Sequence, residues 1–298
     1  MSSLSPSINA VLPEQFATLM LNRQAAILHI TLNRPEQRNA MSEQMVRELI
    51  QVFSAISDDS SIRAVVLRGA GGHFCAGGDI KDMAALRAQA SAAGSSDGYV
   101  RFNRAFGQLI EQVNHAPQIV VAVLEGAVLG GGFGLACVSD VALCRDTAQF
   151  GLPETGLGII PAQIAPFVVQ RIGLTQTRRL ALLGLRFDGV EALRLGIVHQ
   201  VAHSPDALEA LLQQTLTQLY RTAPIASRTT KAILHQSTQV HHLSDTLDQA
   251  AVQFAAAVQS AEGFEGTMAF IQKRLPHWAE STQAASSNPT HPTPSPDQ

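Results

Sequence analysis

The 298-residue chain carries 21 Lys and Arg against 24 Asp and Glu, a net charge of −3, and so shows no basic footprint for nucleic acid or an anionic membrane. A hydrophobic share of 46% with 15% charged residues supplies core enough for one large α/β domain plus an appendage, or for two domains. The three cysteines, Cys75, Cys137 and Cys144, lie in apolar settings without metal-type spacing and read as reduced thiols of a cytosolic protein.

In chain order, residues 1–17 read as a variable N-terminal segment. They lack the basic start and apolar stretch of a secretory signal, and they carry Glu14 but no arginine, unlike a mitochondrial presequence. Residues 18–32 alternate in a strand-like way around Ile27, His29 and Thr31, and stop at Asn33-Arg34-Pro35. From Asn39 to Phe53, apolar residues including Met41, Met45, Leu49 and Phe53 recur at helical spacing. Arg63–Arg68 is a short buried strand. It leads to a first glycine turn, Phe74-Cys75-Ala76-Gly77-Gly78-Asp79, where Asp79 is placed to cap a helix starting near Ile80. Ala84–Gly98, rich in Ala, Ser and Gly, reads as a mobile loop or frayed helix over a pocket, and Phe102–Val113 as a helix.

The longest apolar run, residues 119–138, is interrupted by Glu125 and five glycines, so two buried elements about Gly130-Gly131-Gly132 explain it better than a membrane span. Val141–Cys144 is strand-like, and Gln149–Ile160 reads as a strand and turn carrying Glu154. Helical segments follow at Pro166–Arg171, Thr175–Leu183 and Gly189–Leu195. From Pro205 onward amphipathic helices dominate, broken near Ala223-Pro224 and at Gly263, the last running about Gly266–Lys273. The Ser/Thr/Pro/Gln-rich tail, residues 279–298, is expected to be disordered. Strand–helix alternation followed by helices alone implies an α/β core over 18–204 and a helical domain over 205–278. That helical part is too thin to bury its own apolar faces, so it is expected to pack on a neighbouring subunit.

The chemistry concentrates at the two glycine turns and Glu154. Each turn follows a β-rich apolar run and leads into a helix-like stretch. Small residues there leave backbone N–H groups open at a helix start, where the peptide dipoles favour negative charge. Two such donor sites converging on one point would make an oxyanion hole, and a carboxylate facing the same point suits proton transfer beside an activated carbonyl. Blander readings stand alongside. Glu154 alone reads as an exposed loop carboxylate, and Asp79 and Asp140 as cap and fold-stabilising groups. Cys75 has no base nearby in sequence and reads as a buried thiol. His199 and His203 have i,i+4 spacing but no further ligand set, so no metal is expected. Gly69-Ala70-Gly71 begins like a dinucleotide fingerprint, yet Phe74 occupies the third glycine's place.

Taken together, Leu32-Asn33-Arg34-Pro35…Asn39-Ala40, Phe74 to Lys81, Gly126…Gly130-Gly131-Gly132, Phe150-Gly151-Leu152-Pro153-Glu154 and Lys273-Arg274 resemble, in that order, the crotonase family of enoyl-CoA hydratases and isomerases. The likeness spans roughly residues 18–278. It implies an α/β fold, a spiral of repeated ββα units with a C-terminal helical trimerisation domain, assembled as a homo-trimer or dimer of trimers. It also implies an acyl thioester of coenzyme A as substrate and no separate cofactor. Carried over by position, the N–H groups of Gly78 and Gly131 hold the thioester oxygen, a donor pair contributing about 3–4 kcal/mol each to the transition state. Ala76, Gly78, Asp79, Ile80 and Lys81 run beside the adenine–pantetheine part. Phe254, Phe270 and Lys273 close over the nucleotide from a neighbouring subunit, Lys273 as a point charge for a phosphate.

Glu154 matches one of the family's two catalytic glutamates. The other position, three residues past the oxyanion glycine, is Gly134 here, a departure that leaves a site like that of the double-bond isomerases. It is expected to leave space for a branched chain or a second ordered water. Within the family, Gly130–Cys137 and Gly158–Pro166 look like the isohexenylglutaconyl-CoA hydratases of bacterial acyclic-terpene breakdown, with Ala162-Gln163-Ile164 replacing a usually glycine-rich stretch beside the acyl pocket. A branched α,β-unsaturated thioester with its own carboxylate is then the expected substrate, with Arg87, Arg101 and Arg104 as candidate partners for that carboxylate. A Δ3,Δ2-enoyl-CoA isomerase, a thioester hydrolase or decarboxylase, and a non-enzymatic RNA- or protein-binding member remain open as alternatives.

Overall fold

The computed structural model describes residues 15–238 and 243–280, and it divides into two compact units whose boundary falls between Leu212 and Gln213. That boundary lies inside the helix Pro205–Arg221, eight residues past the division expected from the sequence pattern.

In the first unit, β1 (Leu19–Gln24) and β2 (Ile27–Leu32) form an antiparallel hairpin turned through Ala25 at φ 51°. The next strands, β3 (Ala64–Gly69) and β4 (Ile119–Leu124), are parallel to β2. They are near-continuous apolar runs because central parallel strands are covered on both faces. The order β1-β2-β3-β4-β6-β9 is completed by β6 (Val141–Arg145) and β9 (Gln200–Ala202). A second, three-stranded sheet runs β5 (Ala127–Leu129), β7 (Gln149–Gly151), β8 (Arg186–Phe187).

Helix α1 (Glu43–Ile56) starts at Ser42, whose Oγ accepts from the Met45 N–H at 3.2 Å, and buries Met45, Leu49, Val52, Phe53 and Ile56 along one stripe. Of the two readings of Ala84–Gly98, a mobile loop or a frayed helix, the structure shows helix over most of the segment. Helix α2 runs Ile80–Ala93, stops where Gly94 takes φ 61°, and is followed by α3 (Asp97–His115). An Ala/Ser-rich stretch has no apolar stripe to announce a helix, but alanine favours one. The triple glycine opens α4 (Gly131–Val138). The helical segments expected on either side of Gly173 are α5 (Ala165–Leu183), with the break where Gly173 adopts φ 75°, and α6 is Gly189–Arg194.

In the second unit, the later part of α7 (Pro205–Arg221) is followed by α8 (Pro224–Ser237), α9 (Leu243–Gln259), α10 (Ala261–Ile271) and a short α11 (His277–Glu280). The break expected at Gly263 lies instead at Ser260, whose Oγ accepts from the Gly263 N–H at 3.0 Å, so Gly263 is inside α10. Glu262 in turn accepts from the N–H groups of Ile225 and Ala226 at the start of α8. Helix α11 includes Ala279, which is buried, and Glu280, so the first two residues of the expected disordered tail are helical, and residues 281–298 lie outside the described residues. Leu247, Val252, Phe254, Val258, Phe264 and Phe270 of this unit are exposed in the single chain.

Candidate active site

Backbone ladders bring the two glycine turns and Glu154 together. The strand-like segment before the first turn is stitched to β5: the Cys75 N–H donates to Ala127 O at 2.8 Å, and the Leu129 N–H donates to Cys75 O at 2.9 Å. Strand β5 runs straight into Gly130, so this pairing sets the first turn beside the second. Parallel pairing of β5 with β7, register Leu129↔Gly151, and a Gly130 N–H to Gly151 O bond of 3.0 Å then bring the Glu154 segment alongside. The result is close: a β-carbon built on Gly130 would stand 2.9 Å from Glu154 Oε1 and 3.4 Å from Cα of Gly77. Gly77 (φ 101°) and Gly130 (φ 51°, ψ −117°) have backbones that a side chain would strain. Below, Phe150 stacks on Phe187 with centroids 5.8 Å apart and meets Phe133 of α4 edge-on, which fixes the base of the Glu154 segment.

The direction of the Gly78 amide follows from its neighbours. Met41 donates to Gly77 O at 2.7 Å and accepts from the Asp79 N–H at 3.1 Å, a parallel bridge that turns the N–H of Gly78 to the other side. The Gly131 N–H is at the first position of α4, where no carbonyl precedes it in the helix. Among the described residues neither N–H meets an acceptor. Both glycines line one cavity of about 220 Å³ together with Ala76, Ile80 and Glu154. The remaining wall is largely apolar, from Met41, Val46, Met83, Phe102, Phe106, Leu157, Ile159, Ile160 and Ile164.

Glu154 begins a 3-10 turn, Glu154–Leu157, and its Oε2 is buried without a hydrogen-bond partner. Burial pushes its carboxyl above the usual carboxylate range, opposed only by its own backbone amide. Among the described residues it is the one carboxylate in the cavity wall.

Asp79 and Lys81 lie beside the cavity but are not part of its wall. Asp79 is 3% exposed and caps α2, accepting from the Lys81 N–H at 2.8 Å while Arg34 Nη2 stands 2.7 Å from its Oδ2. Burial raises its carboxyl, but the Arg34 hydrogen bond and the Lys81 amide outweigh this and leave it below the usual range. Its ionisation therefore stabilises the fold above the ordinary Asp pKa, and that contribution is lost as pH falls through the depressed value. Asp79→Ala removes the cap and leaves Arg34 without its carboxylate, though still donating to Ala40 O, and is expected to cost about 2 kcal/mol near pH 7. Thermal unfolding across pH checks this: the gap to the parent should narrow in acid, and a constant gap would refute the ionic contribution.

The sequence motif Asn33-Arg34-Pro35…Asn39 has a local role that its pattern alone did not reveal. Asn39, fully buried at φ 57°, accepts from the Arg34 N–H at 2.8 Å and donates to Ala70 O and His73 O at 2.9 and 2.6 Å. It thereby ties Arg34 to the loop entering the first glycine turn. Asp140 accepts from the Val120 N–H at 2.7 Å, in keeping with a fold-stabilising role. His199 Nδ1 accepts from the Ala142 N–H, while His203 faces Asp146. The thiol of Cys75 is fully buried and pushed up to about 11 by desolvation.

One expectation is overturned. Gly134 does not leave space: a β-carbon there would stand 2.4 Å from Cγ2 and 3.1 Å from Cβ of Ile164, and 3.3 Å from Cδ1 of Ile110. The room for a second glutamate is already filled by the last residue of Ala162-Gln163-Ile164. Of the arginines, Arg104 forms a two-point pair with Glu111 at 3.0 and 3.1 Å, Arg101 is exposed and absent from the cavity wall, and the Arg87 side chain lies outside the described residues. Phe254 and Phe270 are 72% and 85% exposed in the second unit, and Lys273 takes φ 55° just past α10.

The fold is that of the crotonase enzymes. The family model described as "Enoyl-CoA hydratase/isomerase" matches residues 22–281, and the chain belongs to that family, whose enzymes act on acyl-CoA thioesters. It is similar to the solved structure titled "Pseudomonas aeruginosa AtuE", at 61% identity and TM-score 0.85 over 88% of this chain and 99% of that one. It is also similar to 2,3-dehydroadipyl-CoA hydratase of Escherichia coli, 31% identical over 87% of this chain and 97% of that protein. A third relative is the peroxisomal Delta(3,5)-Delta(2,4)-dienoyl-CoA isomerase of Arabidopsis thaliana, 29% identical over 90% and 99%. Hydratases and isomerases thus both occur among the relatives. Among the described residues no helix is long and apolar enough to cross a membrane, and no cluster of three His, Cys, Asp or Glu is placed to hold a metal.

Proposed function

We propose that this chain hydrates the double bond of a branched α,β-unsaturated acyl-CoA, of the isohexenylglutaconyl type, through a thioester enolate. The observation that supports the reading is that Gly78 and Gly131, whose N–H groups meet no acceptor among the described residues, line the same cavity as Glu154, whose Oε2 is buried without a partner. The two amides take the thioester oxygen and bind it more strongly as it gains charge. Glu154 accepts a proton from water as its oxygen bonds to the β-carbon, and the same carboxyl returns a proton to the α-carbon. Water is the only co-reactant, so no cofactor is consumed. Ala76, Asp79, Ile80 and Lys81 flank the pantetheine and adenine, with Phe254, Phe270 and Lys273 completing the nucleotide site from a neighbouring subunit of a trimer or dimer of trimers. The exposed apolar side chains of the helical unit support such an assembly, and the proposed setting is a bacterial cytoplasm.

One observation favours a second reading. Ile164 fills the place of a second acid, and a single carboxylate suffices for Δ3,Δ2-isomerisation, in which one proton moves between carbons. Absorbance of the conjugated thioester separates the two, falling on hydration of the α,β-enoyl substrate and rising on isomerisation of the β,γ-enoyl one. A non-enzymatic member changes neither. Comparing linear crotonyl-CoA with a branched glutaconyl-type thioester tests the acyl group: strong preference for the linear chain would refute the branched assignment.

A further inference from the structure

Away from Glu154 the cavity wall has a second polar place. Asn103 of α3 and Gln163 both line it, and they are wired to each other: Gln163 Nε2 donates to Asn103 Oδ1 at 2.9 Å. Arg104 Nη1 donates to Gln163 Oε1 at 3.5 Å, and Arg104 is itself held by Glu111. A guanidinium can only donate, so this long contact favours the Gln163 amide with its oxygen toward Arg104 and its NH2 toward Asn103. Asn103 must then turn its oxygen toward Gln163. Its own NH2 is left over, and among the described residues it meets no acceptor. Gly107 of α3 leaves the room that the Gln163 amide occupies, since a β-carbon there would stand 1.9 Å from its Oε1.

Asn103 lies away from the oxyanion end of the cavity. Phe106 packs on that end, where a β-carbon on Gly131 would stand 2.9 Å from its Cζ. Asn103 is three residues before Phe106 on α3, about 4.5 Å back along the helix axis, and lines the same cavity.

We propose that Asn103, oriented by Gln163 and Arg104, is the specificity determinant that takes the distal carboxylate of a glutaconyl-type acyl group. The inference rests on the glutaconyl-type acyl-CoA reading of the cavity but not on which reaction follows. Arg104 acts through the two amides and does not touch the substrate, its charge being matched by Glu111.

Binding of two saturated thioesters, glutaryl-CoA and pentanoyl-CoA, measured by calorimetry, tests this independently of hydration or isomerisation. The two differ only in the terminal carboxylate. The parent should bind glutaryl-CoA about 10- to 100-fold more tightly, the range for a hydrogen bond to a charged group. Asn103→Leu should bring the ratio of the two constants close to one, and Asn103→Asp, which sets like charges together, should invert it. A parent with no preference for glutaryl-CoA, or a preference that survives in both variants, overturns the proposal. If neither thioester binds the parent, the acyl-CoA reading of the cavity fails instead, and the absorbance assay judges the reaction separately.

Discussion

Replacing Glu154 with glutamine is expected to lower kcat by ~10²- to 10⁴-fold, the usual contribution of a positioned acid–base group, while a saturated thioester still binds. Glutamine keeps the size and one oxygen of the side chain, but it neither accepts a proton from water nor returns one to carbon. Among the described residues the cavity wall offers no second carboxylate to take over, and Ile164 occupies the space beside Gly134. The same substitution has an opposite effect on stability. Burial raises the Glu154 carboxyl above its unfolded value, so the folded state binds the proton more tightly and loses stability as pH rises through the interval between the two. The glutamine variant has no such loss. It should melt above the parent at neutral pH, with the difference closing as pH falls into the ordinary carboxylate range. The acid limb of kcat/KM for the parent should likewise lie above that of an unperturbed glutamate. Steady-state kinetics and calorimetry on the two proteins check all three, and a glutamine enzyme with nearly full turnover would end the mechanism.

What the sequence made legible was whatever small residues and local order encode. Gly77-Gly78 and Gly130-Gly131 announce backbone that must bend where side chains cannot follow, and the strand before each turn is a visible apolar run. Asp79 reads as a cap because a cap is a relation between neighbours. Other features depend on partners distant in the chain. Ile164 meets Gly134 across thirty residues, so glycine alone looked like vacant space when it was the complement of a side chain elsewhere. Asn39 likewise bonds to Ala70 and His73, and nothing in its own neighbourhood distinguishes it from a turn asparagine. The start of the helix at Ile80 was legible from its Asp79 cap, but its continuation to Ala93 was not: with little apolar periodicity, intrinsic propensity had to decide.

The complementarity of Gly134 and Ile164 gives the second large effect. Gly134→Glu should destabilise the protein strongly, since overpacking alone costs about 1–3 kcal/mol and the new carboxylate is buried without a partner. Helix α4 is fully buried from Gly132 to Val138, so it has little freedom to move away. A loss of about 3 kcal/mol would lower Tm by roughly 6–12 °C in a protein of this size. Ile164→Gly, by contrast, empties part of the cavity wall and should cost about 2–5 kcal/mol through lost packing. Combining the two puts the glutamate where Ile164 stood, with access to the cavity that Glu154 faces. The double variant should therefore be more stable than the sum of its parts by at least ~1 kcal/mol, the coupling expected of residues in contact. It should also hydrate linear crotonyl-CoA faster than either single variant, because two carboxylates then share the water. Strict additivity in unfolding would show that the two side-chain positions do not compete for one space. Recovered stability without faster hydration would show instead that the regained acid does not reach the water, and would separate the packing argument from the catalytic one.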